Sequence, residues 1–263
     1  MASLIEDNLF AEERRMKILN MLSSRKKLQV NELVEQLGVS ATTIRTDLRD
    51  LEAANLLLRT HGGAIEHPHT RFESALHERE IQYRDAKRRI AETALEQILD
   101  GDTIILDTGT TTKELARLLH KRKGLTVVTN DISIAGLLEE FTSVEIVLIG
   151  GLIRRGFHCS IGFHGHIGFE GLIVDKGFFG ANGFSLEAGP TTPDLGQAQL
   201  KRQMIGMAQK VYLLCDHSKI GHVSFARFAG LTDIDSLITD QMDSTMRERL
   251  EDLGISVTVN ERT

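Results

Sequence analysis

Residues 38–52, Gly-Val-Ser-Ala-Thr-Thr-Ile-Arg-Thr-Asp-Leu-Arg-Asp-Leu-Glu, constrain this chain more than any other stretch. Their apolar and exposed members sort onto opposite sides of one helix. Ile44, Leu48 and Leu51 recur at i, i+4 and i+7 and form a buried stripe, while Thr42, Thr46 and Arg49 fall on the far side with Arg45 beside them. Ser40 is a good N-cap, and the helix start it marks offers backbone N–H groups to an anion. Such an outer face suits a DNA major groove, although an isolated amphipathic helix with the same pattern also describes a plain solvated one.

The flanking sequence sets the context. Residues 12–22 carry Ile18, Leu19 and Leu22 as a core stripe, residues 31–37 make a short helix with Leu33, Val34 and Leu37 inward, and Gly38 supplies the turn. Residues 56–65 read as two short strands about a basic tip, so three helices and a wing are expected, a winged helix-turn-helix. The ordered set Val39-Ser40-x-x-Thr43-Ile44-Arg45-x-Asp47-Leu48-x-x-Leu51-Glu52, followed by Arg59-Thr60-His61-Gly62-Gly63-Ala64, resembles the DNA-binding signature of the DeoR family of bacterial repressors. The resemblance implies that Ser40, Thr42, Thr43, Arg45 and Arg49 face DNA, joined by Thr46 on the same side, with Arg59 and His61 in the wing.

The formal net charge of −6 argues against a nucleic-acid partner unless charge is unevenly placed. Residues 1–65 hold 9 Lys plus Arg against 9 Asp plus Glu, leaving 22 against 28 for the rest. DNA binding therefore rests on placement, with Arg14, Arg15, Lys17, Arg25, Lys26, Lys27, Arg45, Arg49 and Arg59 expected on one side. At 263 residues, 41% hydrophobic and 26% charged, the chain has the profile of a globular protein of two domains. No run approaches ~18 apolar residues and the N-terminus lacks a basic segment followed by an apolar one, so no membrane association and a cytoplasmic location are expected. Two cysteines, Cys159 and Cys215, fit a reducing compartment.

Pro68 and the absence of apolar periodicity make residues 66–74 a linker between a DNA-binding domain at 1–65 and a second domain at 75–263. Residues 75–99 should be helical, at least from Arg84, with Ile81, Ile90, Leu95, Ile98 and Leu99 as its apolar series. From Asp100, β-rich runs at 103–106, 125–128, 144–149, 177–179, 211–214, 236–239 and 255–259 alternate with helical segments at 112–119, 132–140, 194–209 and 243–253. That alternation predicts βαβ units and an open, mainly parallel α/β sheet.

The loops after the strands are polar or Gly-rich: Asp107-Thr108-Gly109-Thr110-Thr111-Thr112, then Thr129-Asn130, Gly150-Gly151, Gly180-Ala181-Asn182-Gly183 and Asp216-His217-Ser218-Lys219. In a parallel sheet these loops share one edge, where open α/β sheets bind ligands. The Gly and Thr loop feeding a helix N-terminus suits a phosphate, with Lys219 as a cation. It is neither of the glycine-rich nucleotide fingerprints, so no dinucleotide, ATP or other cofactor is expected. The same motifs, with Asp175-Lys176-Gly177-Phe178-Phe179-Gly180, resemble in order the DeoR-family sensor, whose fold is similar to ribose-phosphate isomerases. The resemblance implies a repressor of a sugar-use operon, released from double-stranded operator DNA by a phosphorylated sugar. Asp107, Thr108, Gly109, Thr110, Thr111, Thr112, Thr129, Asn130, Gly150, Gly151, Lys176, Asn182 and Lys219 are the candidate ligand residues. The chain departs from the family pattern at Asn182 and near Gln197 and Gln199, where carboxylates are usual.

Two weaker signals have plainer readings. His158, Cys159, His164 and His166 offer zinc-type ligands, but at no standard spacing and in a Gly-rich segment, so no metal is expected. Cys215 reads as a small buried residue. An isomerase or deaminase with an appended DNA-binding module is the alternative function; it needs a positioned base, and the positions expected to hold acids are Asn182 and Gln197, leaving Asp107, Glu187 and Asp194. A homodimer or homotetramer is expected, because one winged helix reads few base pairs.

Overall fold

The structure is a computed structural model that describes residues 11–25, 27–53, 57–65, 73, 76–141, 143–161 and 171–261. The chain divides into two compact units, Met1–Ser74 and Ala75–Thr263.

In the first unit, α1 (Ala11–Arg25) leads into strand β1 (Lys27–Gln29), then α2 (Val30–Leu37), α3 (Ala41–Ala53), and the strands β2 (Leu58–Thr60) and β3 (Gly63–Ile65). The order β1-β3-β2 makes a three-stranded antiparallel wing, one strand more than the sequence pattern predicts. Too short to show a period of two, β1 exists because β3 pairs with it. Gly63 permits that pairing, since a Cβ there would lie 1.9 Å from the Leu28 carbonyl oxygen. Gly38 ends α2 at φ 68°, a left-handed cap that glycine adopts without strain. Ile18, Leu22, Leu33, Ile44, Leu48 and Leu57 close one core, with Val34 only half-buried at its edge.

The second unit begins with α4 (Leu76–Ile81) and α5 (Arg84–Glu96) rather than one helix. Tyr83 takes a left-handed conformation (φ 52°), and the Lys87 ammonium group donates to the carbonyls of Arg79 and Gln82, each at 2.5 Å. Ile81 and Leu99 are exposed and so do not belong to the expected apolar series. Then come β4 (Thr103–Leu106), α6 (Thr110–Leu118), β5 (Leu125–Thr129), α7 (Ile132–Glu139), β6 (Val144–Leu148), β7 (Leu152–Arg154) and β8 (Cys159–Ile161). The remainder is β9 (Val174–Gly180), β10 (Gly183–Ser185), β11 (Gly189–Thr192), α8 (Leu195–Met207), β12 (Ala208–Leu214), β13 (Ala226–Arg227), β14 (Ser236–Thr239), α9 (Ser244–Asp252) and β15 (Ser256–Val259). The helix expected over 194–209 stops at Met207 because Ala208 is already paired with Val174 in the sheet.

Seven strands form a sheet in the order β15-β14-β12-β9-β4-β5-β6, parallel throughout. Successive residues serve opposite faces: Ile104, Leu106 and Phe178 join the core under α5, α6 and α7, while Ile105 and Phe179 join the core under α8 and α9. Both faces are buried, which is why these strands read as apolar runs. From β4 the chain winds outward to β5 and β6, then restarts at β9 on the other side. The strand order reverses between β4 and β9, and in such sheets the crevice beyond the carboxyl ends of the two strands is the ligand site. The β7–β8 hairpin and the β10-β11-β13 sheet, neither anticipated, cover the ends of these strands.

Candidate DNA interface and carboxyl-edge site

In the first unit, Ser40 caps α3 as expected: its hydroxyl accepts from the Thr43 N–H at 3.1 Å, and its carbonyl from the Ile44 N–H at 3.0 Å. Ile44, Leu48 and Leu51 are buried; Thr42, Arg45 and Arg49 are exposed, with Thr43 and Thr46 half-buried beside them. Arg59 and the exposed His61 lie on the wing, and Arg59 is tied to α3 because Glu52 accepts from its backbone N–H at 3.0 Å and from its Nε at 2.8 Å. A cleft of about 450 Å³ between α3 and the wing is lined in part by Gln29, Asn31, Arg45, Arg59 and His61. Gln29 and Asn31 carry no sequence signal for this; folding of β1 against β3 brings them there.

The expected gathering of basic residues is only partial. Arg14 is buried and bound to Asp47, and Arg15 is bound to Asp47 and Asp50, so neither joins the exposed face. Lys26 lies outside the described residues. The three acids of α3, Asp47, Asp50 and Glu52, all pair with arginines, and Arg45 and Arg49 lie on the outer side with Arg49 Nε itself 3.8 Å from Asp50 Oδ1.

In the second unit the loops after β4, β5 and β9 meet at the reversal between β4 and β9. Asp107 is wholly buried there; its Oδ2 accepts from the Lys201 ammonium group and from the Gly180 N–H at 3.0 Å, and Lys201 also donates to the Gly180 carbonyl at 2.7 Å. Burial pushes the Asp107 pKa up, against the opposing pull of Lys201. Among the described residues its Oδ1 finds no partner, nor does the buried Oδ1 of Asn130. Two buried acceptors without donors are costly unless something donates to them.

Thr110 opens α6 directly beyond Gly109 with no side-chain cap on the helix, and the first-turn residues Thr110 and Thr111 are buried. Thr108 donates to Asp131 Oδ2 at 2.7 Å, and Asp131 Oδ1 caps α7 through the N–H groups of Ser133 and Ile134. Thr112 donates to the Gly109 carbonyl at 2.9 Å, and Thr129 accepts from the Asp131 N–H at 3.1 Å, so both hydroxyls shape the loops. Asn130 donates to the Ser160 carbonyl at 3.0 Å, bringing β8 over β5. Gly150 is exposed; Gly151 follows it beside the hairpin, where a Cβ would lie 2.9 Å from the Ile161 carbonyl oxygen. Asn182 and Gln197 both accept from the Thr192 hydroxyl, at 3.2 and 3.1 Å.

Lys176 stands elsewhere than expected, whereas Lys219 is at the end of a strand neighbouring β9. Lys176 is near the start of β9, at the amino edge, ion-paired with Asp102 at 2.5 Å; a strand only seven residues long separates its two edges. Lys219 follows β12, and β9 stands between β12 and β4. Burial works to raise the pKa of Asp216, but Lys219, Lys87, the Ser218 hydrogen bond and His217 together offset it and hold the carboxyl below its usual range. A cation beside the β4 loop is Lys201 of α8, which the sequence pattern does not single out.

A second opening, of about 640 Å³, lies beyond β12, β14 and β15, lined by Arg89, His217, Asp240, Asp243 and Glu261 among others. His217 Nδ1 lies 2.8 Å from Asp240 Oδ2, and this hydrogen bond holds the His217 pKa above its usual value. Among the described residues no group of three or more His, Cys, Asp or Glu is placed to hold a metal, and His164 and His166 lie outside them. Cys159 is buried with its Sγ 3.4 Å from Gln197 Nε2. Cys215 is buried too, and burial raises its thiol pKa to about 12, which keeps it protonated and unreactive. No helix among the described residues is long and apolar enough to cross a membrane.

A winged helix-turn-helix with a threonine- and arginine-bearing α3 defines a DNA-binding regulator. Comparison with known proteins gives the family: residues 14–68 match the DeoR-like helix-turn-helix domain and residues 82–241 the DeoR C-terminal sensor domain, and the chain belongs to the DeoR family of transcriptional regulators. It is 37% identical over 93% of its length to the HTH-type transcriptional regulator GlpR of Haloferax volcanii, covering 96% of that protein. It is 31% identical over 87% of its length to the glycerol-3-phosphate regulon repressor of Escherichia coli K12, covering 90% of it. The solved ribose 5-phosphate isomerase A of Methanocaldococcus jannaschii overlaps 52% of this chain and 54% of its own at 19% identity, with a TM-score of 0.40.

Proposed function

We propose that this regulator represses a carbohydrate-utilisation operon in the cytoplasm and is released from its operator by a phosphorylated sugar bound at the carboxyl edge of the sheet. The observation that carries the effector is the pairing of an uncapped α6 N-terminus with buried, unpartnered acceptors on Asp107 and Asn130. Backbone N–H groups suit a phosphate and acceptors suit hydroxyls, and a phosphorylated sugar presents both. Around that point we set Thr108, Gly109, Thr111, Gly150, Gly151 and Asn182, with Thr112 and Thr129 shaping the loops; Lys201 takes the place given to Lys176, and Lys219 is the cation of the neighbouring strand end. The name of the Escherichia coli relative, a regulon repressor for a phosphorylated three-carbon polyol, supports the effector class.

On the DNA side, Ser40 and Thr43 orient the start of α3 toward phosphate, Thr42, Arg45, Thr46 and Arg49 read the major groove, and Arg59 and His61 contact the flanking backbone. A symmetric oligomer supplies the second half-site. The enzyme alternative is weakened because Asn182 and Gln197, hydrogen-bonded to Thr192, are amides where an acid was expected.

The test is to select duplexes from a random library with the wild-type protein, then titrate phosphorylated sugars into the complex and assay the same sugars for turnover. Arg45→Ala and Arg49→Ala should each weaken the selected duplex by roughly 1–3 kcal/mol if they contact bases, or flatten the salt dependence if they contact phosphates. Unchanged affinity in both variants, or rapid turnover of a sugar phosphate, would sink this reading.

A further inference from the structure

Arg14 and Arg15, successive residues of α1, grip one turn of α3. Arg14 Nε and Nη2 meet Asp47 Oδ2 and Oδ1 at 2.5 and 3.1 Å, a two-pronged pair with both residues buried. Arg15 spans Asp47 Oδ1 at 3.2 Å and Asp50 Oδ2 at 2.6 Å. Asp47 sits in the buried run with Leu48, beside Thr46, so whatever fixes Asp47 fixes the outer face.

Such a pair is a poor way to gain stability, because desolvating a guanidinium and a carboxylate cancels most of their attraction, and apolar residues of similar volume usually stabilise as well or better. Here Ile18 and Leu22 of α1 and Ile44 and Leu48 of α3 already share one buried aliphatic core. Aliphatic contacts tolerate small rotations and slips of one helix on another. A planar fork on a carboxylate does not, since both hydrogen bonds are lost together when the plane turns.

We infer that Arg14 and Asp47 are positioning residues for operator specificity: the fork locks the rotation and register of α3, and with them the direction in which Arg45 and Arg49 point. This rests on α3 being the recognition helix. Arg15 is the secondary grip, and it shares the Asp50 carboxylate with Arg49, whose Nε lies 3.8 Å from Asp50 Oδ1.

The experiment uses the full-length protein and two duplexes, one selected from a random library by wild type and one of scrambled sequence, at the same salt. Arg14→Met/Asp47→Leu removes one positive and one negative charge, so the electrostatic part of DNA affinity is unchanged. The double variant should melt at or above the wild-type temperature, bind scrambled duplex within about twofold of wild type, and lose roughly tenfold or more on the selected duplex, the scale of one misdirected base contact. Arg14→Lys, which keeps the charge but not the fork, should fold and show a smaller loss confined to the selected duplex, which keeps the idea testable if the double variant fails to fold. Wild-type affinity for the selected duplex in a folded double variant, or in Arg14→Lys alone should the double variant not fold, would overturn the inference. Parallel losses on both duplexes would also overturn it, by showing a general rather than a positioning effect. If wild type selects no sequence, it is the recognition-helix reading that fails.

Discussion

The two edges of the seven-stranded sheet use the same residue types to different ends. At the amino edge, Lys176 pairs with Asp102, Asp102 also accepts from the Leu99 N–H at 2.7 Å, and Asp175 accepts from the Thr103 N–H at 2.8 Å. Those groups close on one another. At the carboxyl edge, Lys201 pairs with Asp107, but Asp107 keeps a buried oxygen without a partner among the described residues and so does Asn130. A lysine–aspartate pair is therefore no mark of a site in itself. Unspent acceptors in a dry place, beside a helix start with no side-chain cap, are the better mark.

That contrast can be broken most forcefully at Lys201. Lys201→Met leaves the Asp107 carboxylate buried and uncompensated, and a cost of about 3–5 kcal/mol in denaturant unfolding is expected. A loss under about 1 kcal/mol would mean that the pair is as solvated as an exposed one. Next comes Thr110→Asp, which sets a fixed negative charge at the α6 N-terminus. For wild type, an effector at 100 times its dissociation constant should stabilise by about 2.7 kcal/mol; the variant should show no such shift yet bind operator normally, because an effector acts only through its difference in affinity between two states. Release of DNA from folded Thr110→Asp at the wild-type effector concentration would place the effector elsewhere.

Lys176→Met sharpens the comparison from the other side. Stability should fall by about 1–2 kcal/mol, as for one charge-assisted hydrogen bond in a partly covered place, while the effector response stays intact. Loss of the response with the fold intact would erase the distinction between the edges. The smallest effect expected is a pH dependence. Because Asp240 raises the His217 pKa in the folded state, the stability from that pair is fully present below the unfolded value of about 6.5 and is lost as pH rises through the folded value. Unfolding of wild type measured across that window should show the decline, and His217→Gln should flatten it; equal slopes would show that the Asp240 contact does not persist in solution.

How much of this was legible depends on how locally each feature is encoded. The α3 stripe, the Ser40 cap and the parallel strands follow from residues a few places apart, and Ile44, Leu48 and Leu51 are buried where a period of 3.6 puts them. The break after α4 was not legible, because it depends on Lys87 reaching back to the Arg79 and Gln82 carbonyls. Short strands such as β1 and β13 were missed for a related reason: three residues or fewer carry no periodicity, and only a partner strand gives them an identity.

By itself the sequence determined the seven parallel strands and the helices between them, the polar loops after the strands and the motifs that mark the family, since each depends on neighbours in the chain. Tertiary structure alone decided which charges are spent. Arg14 and Arg15 look like any surface arginines until α1 packs on α3 and they meet Asp47 and Asp50. Lys176 belongs to a motif and Lys201 to none, yet Lys176 closes the amino edge while Lys201 reaches Asp107 from 94 residues away. Electrostatic pairing acts through space, over a few ångströms that no sequence spacing records, and so the site became visible only when the strands had set its two sides together.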